Sequence, residues 1–218
     1  MENPWKTVSL DDYESHMALG SVRQLQTLNE IMSRQLNAFP VRSVMILGVA
    51  GGNGLEHIDT EKYSAVYGVD VNPDYLREVE KRYPALDGVL KCLCADCTNI
   101  RTTADDPALP EAELVIANLL IEYIGYDCFK RVLRQVKPRY VSCVIQVDSG
   151  EGFVSDSPYL HSFDCLDSVH RSIGADRLAN ELETIGYKQS ALREHPLPNG
   201  KRLTEIDFII TENSYADT

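Results

Sequence analysis

Short apolar runs along the chain alternate with stretches whose apolar positions recur at helical spacing. The first helical stretch carries Val22, Leu25, Leu28, Met32 and Leu36 on one stripe and stops at Phe39-Pro40. With the polar, aromatic segment Asp11 to Met17 ahead of it, this makes residues 1–40 a helical preface. Buried strands are predicted at Val44 to Leu47, Ala65 to Asp70, Val89 to Ala95, Glu113 to Ala117 and Tyr140 to Val147. Asn72-Pro73-Asp74 supplies an N-cap, a proline at the first helical position and an acidic first turn, so a helix opens there and runs to about Tyr83. A further helix starts at Tyr126-Asp127, buries Phe129, Val132, Leu133 and Val136, and ends at Lys137-Pro138. Leu178, Leu182 and Ile185 mark the last helix, stopped by Gly186, and Pro198-Asn199-Gly200-Lys201 joins two final strands, the second at Ile206 to Thr211. The alternation predicts one α/β domain without repeats or a long linker.

Chemistry enters at the first strand-to-helix junction, Ile46-Leu47-Gly48-Val49-Ala50-Gly51-Gly52-Asn53-Gly54. Glycine permits positive φ and close approach of backbone to a ligand, and Asn53, three residues before Glu56, reads as the cap of a following helix. The same composition also suits a plain tight connection. The ends of the later strands decide between the two. The second strand ends in Asp70, 22 residues after Gly48, where a ribose diol lies if the loop holds an adenosine moiety. Asp96 closes the third strand and Asn118 the fourth. Ligands of open α/β sheets bind at the carboxyl edge of the strands, so Gly48, Asp70, Asp96 and Asn118 are expected to line one cleft.

In four motifs the chain resembles the class I S-adenosylmethionine-dependent methyltransferases of small molecules. These are the glycine loop, Val69-Asp70, Cys94-Ala95-Asp96-Cys97 and Ile116-Ala117-Asn118-Leu119-Leu120, and the similarity runs from about Val41 to Ile210. The resemblance implies a single Rossmann-like, doubly wound sheet of about seven strands with the last strand antiparallel, spanning residues 41–218, and an N-terminal extension that serves as a lid. It also implies that Gly48, Val49, Ala50, Gly51 and Asn53 wrap the methionine part of S-adenosylmethionine. Asp70, followed by Val71, would bond the ribose hydroxyls, Asp96 and the Cys97 backbone would meet the adenine, and Asn118 would sit below the sulfonium. Two positions depart from the family pattern: Ile46 stands in place of an acidic residue and Ala50 in place of a glycine. They leave the cofactor's amino group to backbone carbonyls or another side chain and narrow the loop, but binding is expected to survive.

Composition narrows the partners. A formal net charge of −12 and a pI near 4.8 disfavour a nucleic-acid partner, whose binding rests on clustered Lys and Arg. No apolar stretch approaches a membrane span, and the N-terminus shows no basic region followed by an apolar core, so a cytoplasmic protein with reduced thiols is expected. Cys92, Cys94, Cys97, Cys128, Cys143 and Cys165 are read as buried small hydrophobes, because the Cys94-x-x-Cys97 pair has no second pair to complete a zinc site. Residues 149–167 form a loop-rich insert, the best place for an acceptor pocket, with Tyr13 and His16 as lid residues. Glu122, His161 and His16 are the candidate bases and Tyr123 a candidate orienting hydroxyl, while His57 and His170 read as structural. The function expected is methyl transfer to a small-molecule acceptor. The alternatives are a catalytically inactive cofactor-binding module and a nicotinamide-dependent oxidoreductase, the latter opposed by Ala50 and Asn53 in place of the second and third glycines of G-x-G-x-x-G. The pattern does not fix the oligomeric state, and a homodimer stays open.

Overall fold

A computed structural model describes residues 2–100, 108–147, 154–155 and 157–211. Seven strands, β1 (Ser43–Leu47), β2 (Ala65–Asp70), β3 (Leu90–Cys94), β4 (Leu114–Asn118), β5 (Tyr140–Val147), β6 (Tyr187–Pro196) and β7 (Arg202–Ile210), form one sheet in the order β3-β2-β1-β4-β5-β7-β6. Strands β1 to β5 run parallel, and β7 lies antiparallel between β5 and β6. Among the described residues the α-helices are α1 (Leu10–Ala18), α2 (Gln24–Ala38), α3 (Pro73–Arg82), α4 (Ile121–Val136) and α5 (Ala175–Glu183).

Side chains alternate across a strand, and here both faces are covered, which is why the central strands read as unbroken apolar runs. Val44, Ile46, Leu114 and Ile116 pack on Met32 and Leu36 of α2 and Leu76 and Val79 of α3. Their neighbours Met45, Leu47, Val115 and Ala117 face the opposite core with Phe129, Val132 and Leu133 of α4 and Leu178 and Leu182 of α5. Each aliphatic side chain sealed in these layers contributes about 1.5–3 kcal/mol. The chain thus has the expected doubly wound sheet, with a helix pair on each side.

Local signals place the helices as read, with two differences. Asn72 Oδ1 accepts the Asp74 N–H at 3.0 Å and Pro73 takes the first helical position, so α3 starts as predicted. The chain becomes helical at Ile121, before the expected Tyr126, but Gly125 at φ +73°, ψ 170° breaks it, and the regular helix does begin beyond that kink. No α-helix follows the glycine loop. Only a single 3-10 turn, Leu55–His57, is present, entered through Gly54 at φ +91°. A Cβ on Gly54 would lie 2.5 Å from Met32 Cγ, so α2 already occupies the flank where such a helix would pack. Asn53 is therefore not a helix cap. Its Nδ2 donates to Leu25 O at 2.9 Å and its Oδ1 accepts from Asn29 Nδ2 at 3.0 Å, tying the loop to α2.

Candidate functional site

The carboxyl ends of the parallel strands open on a cavity of about 420 Å³, lined among others by Gly48, Ala50, Asp70, Val71, Asp96, Cys97 and Asn118. Four strand ends that are remote in sequence meet here because parallel strands in this order bring their carboxyl ends to one edge. The glycine loop is pinned to β2. Gly48 and Val49 donate to Val69 O at 2.8 and 3.1 Å, and the Ala50 N–H donates to Asp70 Oδ2 at 2.9 Å. Gly48 holds φ +69°, and a Cβ on it would come within 3.3 Å of Leu120 Cδ1, so the loop presents bare backbone to the cavity. Ala50 also sits in the left-handed region, at φ +46°, which costs an L-residue about 1 kcal/mol. Its N–H bond to a carboxylate opposes that cost.

Asp70 is 8% exposed. Burial pushes its carboxyl pKa up, opposed by the backbone N–H groups of Asn72, Ala50 and Val71. Asp96 accepts from the Thr98 N–H at 2.9 Å, Thr98 Oγ1 at 2.7 Å and Asn3 Nδ2 at 3.2 Å. Beside it, burial with the charge of Asp96 pushes the Cys97 thiol up to about 12, so this cysteine is a packing group. Asn118 forms a reciprocal amide pair with Gln35 of α2, at 3.0 and 2.9 Å, and Gln35 Nε2 also donates to Ser142 Oγ at 3.0 Å.

The N-terminal segment roofs the cavity. Asn72 Nδ2 donates to Trp5 O at 3.1 Å, Tyr75 OH donates to Val8 O at 2.9 Å, and Arg82 Nη1 pairs with Glu14 Oε1 at 2.6 Å. A Cβ on Gly51 would fall 2.1 Å from Glu14 Oε1, so Gly51 meets this roof. Sharing Trp5, Tyr13, Leu119 and Tyr123 with the lining of the first, a second cavity of about 60 Å³ adjoins it. His16, Gln24, Glu122, Gln146, Phe163 and His170 are among its walls. Leu119, on both linings, sits in the left-handed region at φ +53°, with its N–H donating to Val144 O at 2.8 Å. Glu122 is 3% exposed, and the Gln146 N–H donates to its Oε1 at 2.7 Å.

Several expectations need correction. Val49, Gly51 and Asn53 do not line the large cavity: Val49 packs under Gly68, Gly51 meets the roof and Asn53 faces α2. His161 is not beside the cleft. Its side chain is 91% exposed on the 3-10 turn Leu160–Leu166, pairing with Asp164 at 3.2 Å, so it lines neither cavity. His170, read as structural, lines the small cavity. Cys94, at the end of the edge strand β3, and Cys165, on the 3-10 turn Leu160–Leu166, are exposed, Cys92 and Cys128 are half-buried, and only Cys97 and Cys143 are buried. Ser149 to Phe153 of the insert lie outside the described residues. Sequence reasoning missed Trp5, Gln24, Gln35, Gln146 and Phe163; the only signal was polar Gln35 beside the apolar stripe of α2.

Among solved structures, magnesium protoporphyrin IX methyltransferase (ChlM) of Synechocystis PCC 6803, with bound S-adenosylmethionine, matches at TM-score 0.68 and 9% identity over 97% of this chain and 98% of that one. The fold is that of the S-adenosylmethionine-dependent methyltransferases. The N-methyltransferase NodS of Bradyrhizobium japonicum WM9, in complex with S-adenosylhomocysteine, shares the methyltransferase fold at TM-score 0.66 and 12% identity, over 97% of this chain and 100% of that one. The [4+2]-cyclase SpnF matches at TM-score 0.62 and 9% identity over 84% of this chain and 80% of that one, so the methyltransferase fold also carries other chemistry. A scan of protein-family models and a search of curated proteins each give no match. Among the described residues, no helix is long and apolar enough to cross a membrane.

Proposed function

We propose that the chain binds S-adenosylmethionine in the large cavity and transfers its methyl group to a small-molecule acceptor. The observation that carries this reading is the charge of the cavity wall. Three carboxylates, Glu2, Asp70 and Asp96, line it, and no Lys or Arg does among the described residues. That field suits a sulfonium cation and opposes a pyrophosphate. A dinucleotide also needs a helix N-terminus after its glycine loop, and here a three-residue 3-10 turn stands in that place. The nicotinamide alternative is disfavoured on both counts.

The residues present fit the cofactor. The volume lies within the range of about 300–1,000 Å³ for small-molecule sites. The bare Gly48 backbone would take the aminoacyl part, Asp70 the ribose hydroxyls, and Asp96 with the Cys97 backbone the adenine. When bound, the group supplies an electrophilic methyl carbon: an acceptor lone pair forms the new bond as the carbon–sulfur bond breaks, leaving a neutral thioether. The chain's own work is to orient the acceptor, exclude water under the roof and remove a proton where the acceptor carries one. ChlM and NodS are methyltransferases by name, which agrees with this reading, and SpnF shows why turnover needs its own test.

Titration calorimetry of S-adenosylmethionine and NAD against wild type and Asp70→Ala tests the cofactor. Micromolar S-adenosylmethionine binding that weakens about 10- to 100-fold in Asp70→Ala is expected, the loss of a charge-assisted pair. Preferential NAD binding would sink the proposal. Binding without S-adenosylhomocysteine formation over a broad acceptor panel would favour the inactive module.

A further inference from the structure

The small cavity has a chemistry of its own. We propose that it is an acceptor site for a small amine, which enters as an ammonium ion; this deepens, and rests on, the methyl-transfer reading. A water molecule needs at least about 10–15 Å³ of such space, so 60 Å³ admits a group of roughly five heavy atoms. Trp5, Tyr13, Tyr123 and Phe163 line it, with Trp5 set edge-on to Tyr13 at 5.6 Å and to Tyr123 at 4.9 Å. Aromatic faces attract cations, most strongly away from water. Glu122 adds a buried carboxylate to the wall, and no Lys or Arg lines the space among the described residues. An ammonium offers three donors and no acceptor, which suits the Glu122 carboxylate and the amide oxygen of Gln24; an acid would face Glu122 as a like charge.

Two further titratable groups on the wall, Tyr13 and His16, keep that contrast. Burial, with Asp70, Glu14 and Glu122 nearby, pushes the Tyr13 hydroxyl pKa up, so it stays protonated. Burial, with Lys201 nearby, holds His16 below its ordinary value, so it stays neutral. Neutral His16 also answers the proton balance. An ammonium has no lone pair and must lose one proton before its nitrogen can attack. His16 lines the same cavity and its Nδ1 pairs with Ser157 Oγ at 2.8 Å; with Nδ1–H donating to that hydroxyl, Nε2 is the basic nitrogen that takes the proton, and it gives the proton up to solvent when the product leaves. The freed lone pair then forms the bond to the methyl carbon as that carbon's bond to sulfur breaks. Trp5, Tyr13, Leu119 and Tyr123 line both spaces, which sets the amine next to the donor cavity.

Trp5 is the one tryptophan of the chain and lines both cavities, so its fluorescence reports occupancy. Full-length protein is titrated with n-butylammonium, 1-butanol and butyrate, each with and without saturating S-adenosylhomocysteine. The expected result is millimolar n-butylammonium binding, about tenfold tighter than 1-butanol, with butyrate weakest. Glu122→Gln should erase most of the preference. Should that variant not fold, Phe163→Leu should weaken the amine about threefold and leave the alcohol unchanged. Equal affinity for amine and alcohol, a preference for butyrate, or no binding of the three probes overturns the amine site. Calorimetry of S-adenosylhomocysteine tests the methyl-transfer reading separately: no binding there, with the amine preference intact, overturns methyl transfer and keeps the amine-binding assignment.

Discussion

Gln35 is where packing and site meet most directly. It is 1% exposed, and its amide joins Asn118 at the large cavity to Ser142, which is fully buried and donates to Asp207 Oδ1 at 2.6 Å. Beyond Asp207 the chain of contacts reaches Arg193 at 2.8 Å, and Arg34 pairs with the neighbouring Glu205 at 2.6 Å. Gln35→Leu keeps the volume, so little cavity cost enters, but it deletes three hydrogen bonds: two with Asn118 and one with Ser142. Losing buried partners costs about 1 kcal/mol or more each, hence about 3 kcal/mol in all. For a domain of this size, 1 kcal/mol moves Tm by about 2–4 °C, so scanning calorimetry should show a drop of about 6–12 °C. A cycle with Asn118→Leu should give a coupling of about 2 kcal/mol, since the paired amides lose the same two bonds only once. S-adenosylmethionine affinity should fall as well, because an unheld Asn118 no longer has one orientation in the cavity wall. A Tm drop under about 2 °C, or additive single effects, would refute the network's role.

Other outcomes rest on single contacts. Gly51→Ala should leave Tm nearly unchanged, because Gly51 does not require positive φ, yet speed cofactor release in stopped-flow measurements by displacing the Glu14–Arg82 pair from the loop. Gly125→Ala should lower stability in urea unfolding by about 1–3 kcal/mol, since its conformation is open almost only to glycine and a Cβ would meet Arg171 Nη1 at 2.8 Å. Ala50→Gly should raise stability by up to about 1 kcal/mol, relief of left-handed strain outweighing the added freedom of the unfolded chain. The lowered pKa of His16 means the unfolded chain takes that proton first, so stability should fall as pH drops below about 6.5 and stay level above it. In His16→Gln that part of the slope should vanish from urea unfolding curves measured across pH.

The strands, the cap of α3, the regular helix from Tyr126 and the cleft holding Gly48, Asp70, Asp96 and Asn118 were all legible in the chain. Apolar periodicity tells which side of an element is buried, and a parallel sheet must bring its strand ends to one edge. The single 3-10 turn after the glycine loop was not legible, because Met32 of α2, more than twenty residues upstream of Gly54, fills the flank that a helix would need. Nor was the second cavity. Gln24 Nε2 reaches Gln146 Oε1 across 122 positions, and His16 reaches Ser157 across 141, so no local pattern records that they meet. Glu122 and His161 look alike as candidate bases in the sequence, yet one is sealed beside aromatic rings and the other stands in water. Periodicity acting over a few residues was enough to put the cleft's polar groups at the sheet's edge. Which of those groups share a wall depended on how separate helices and the N-terminal roof fill the space above that edge, a matter of contacts between segments far apart in the chain.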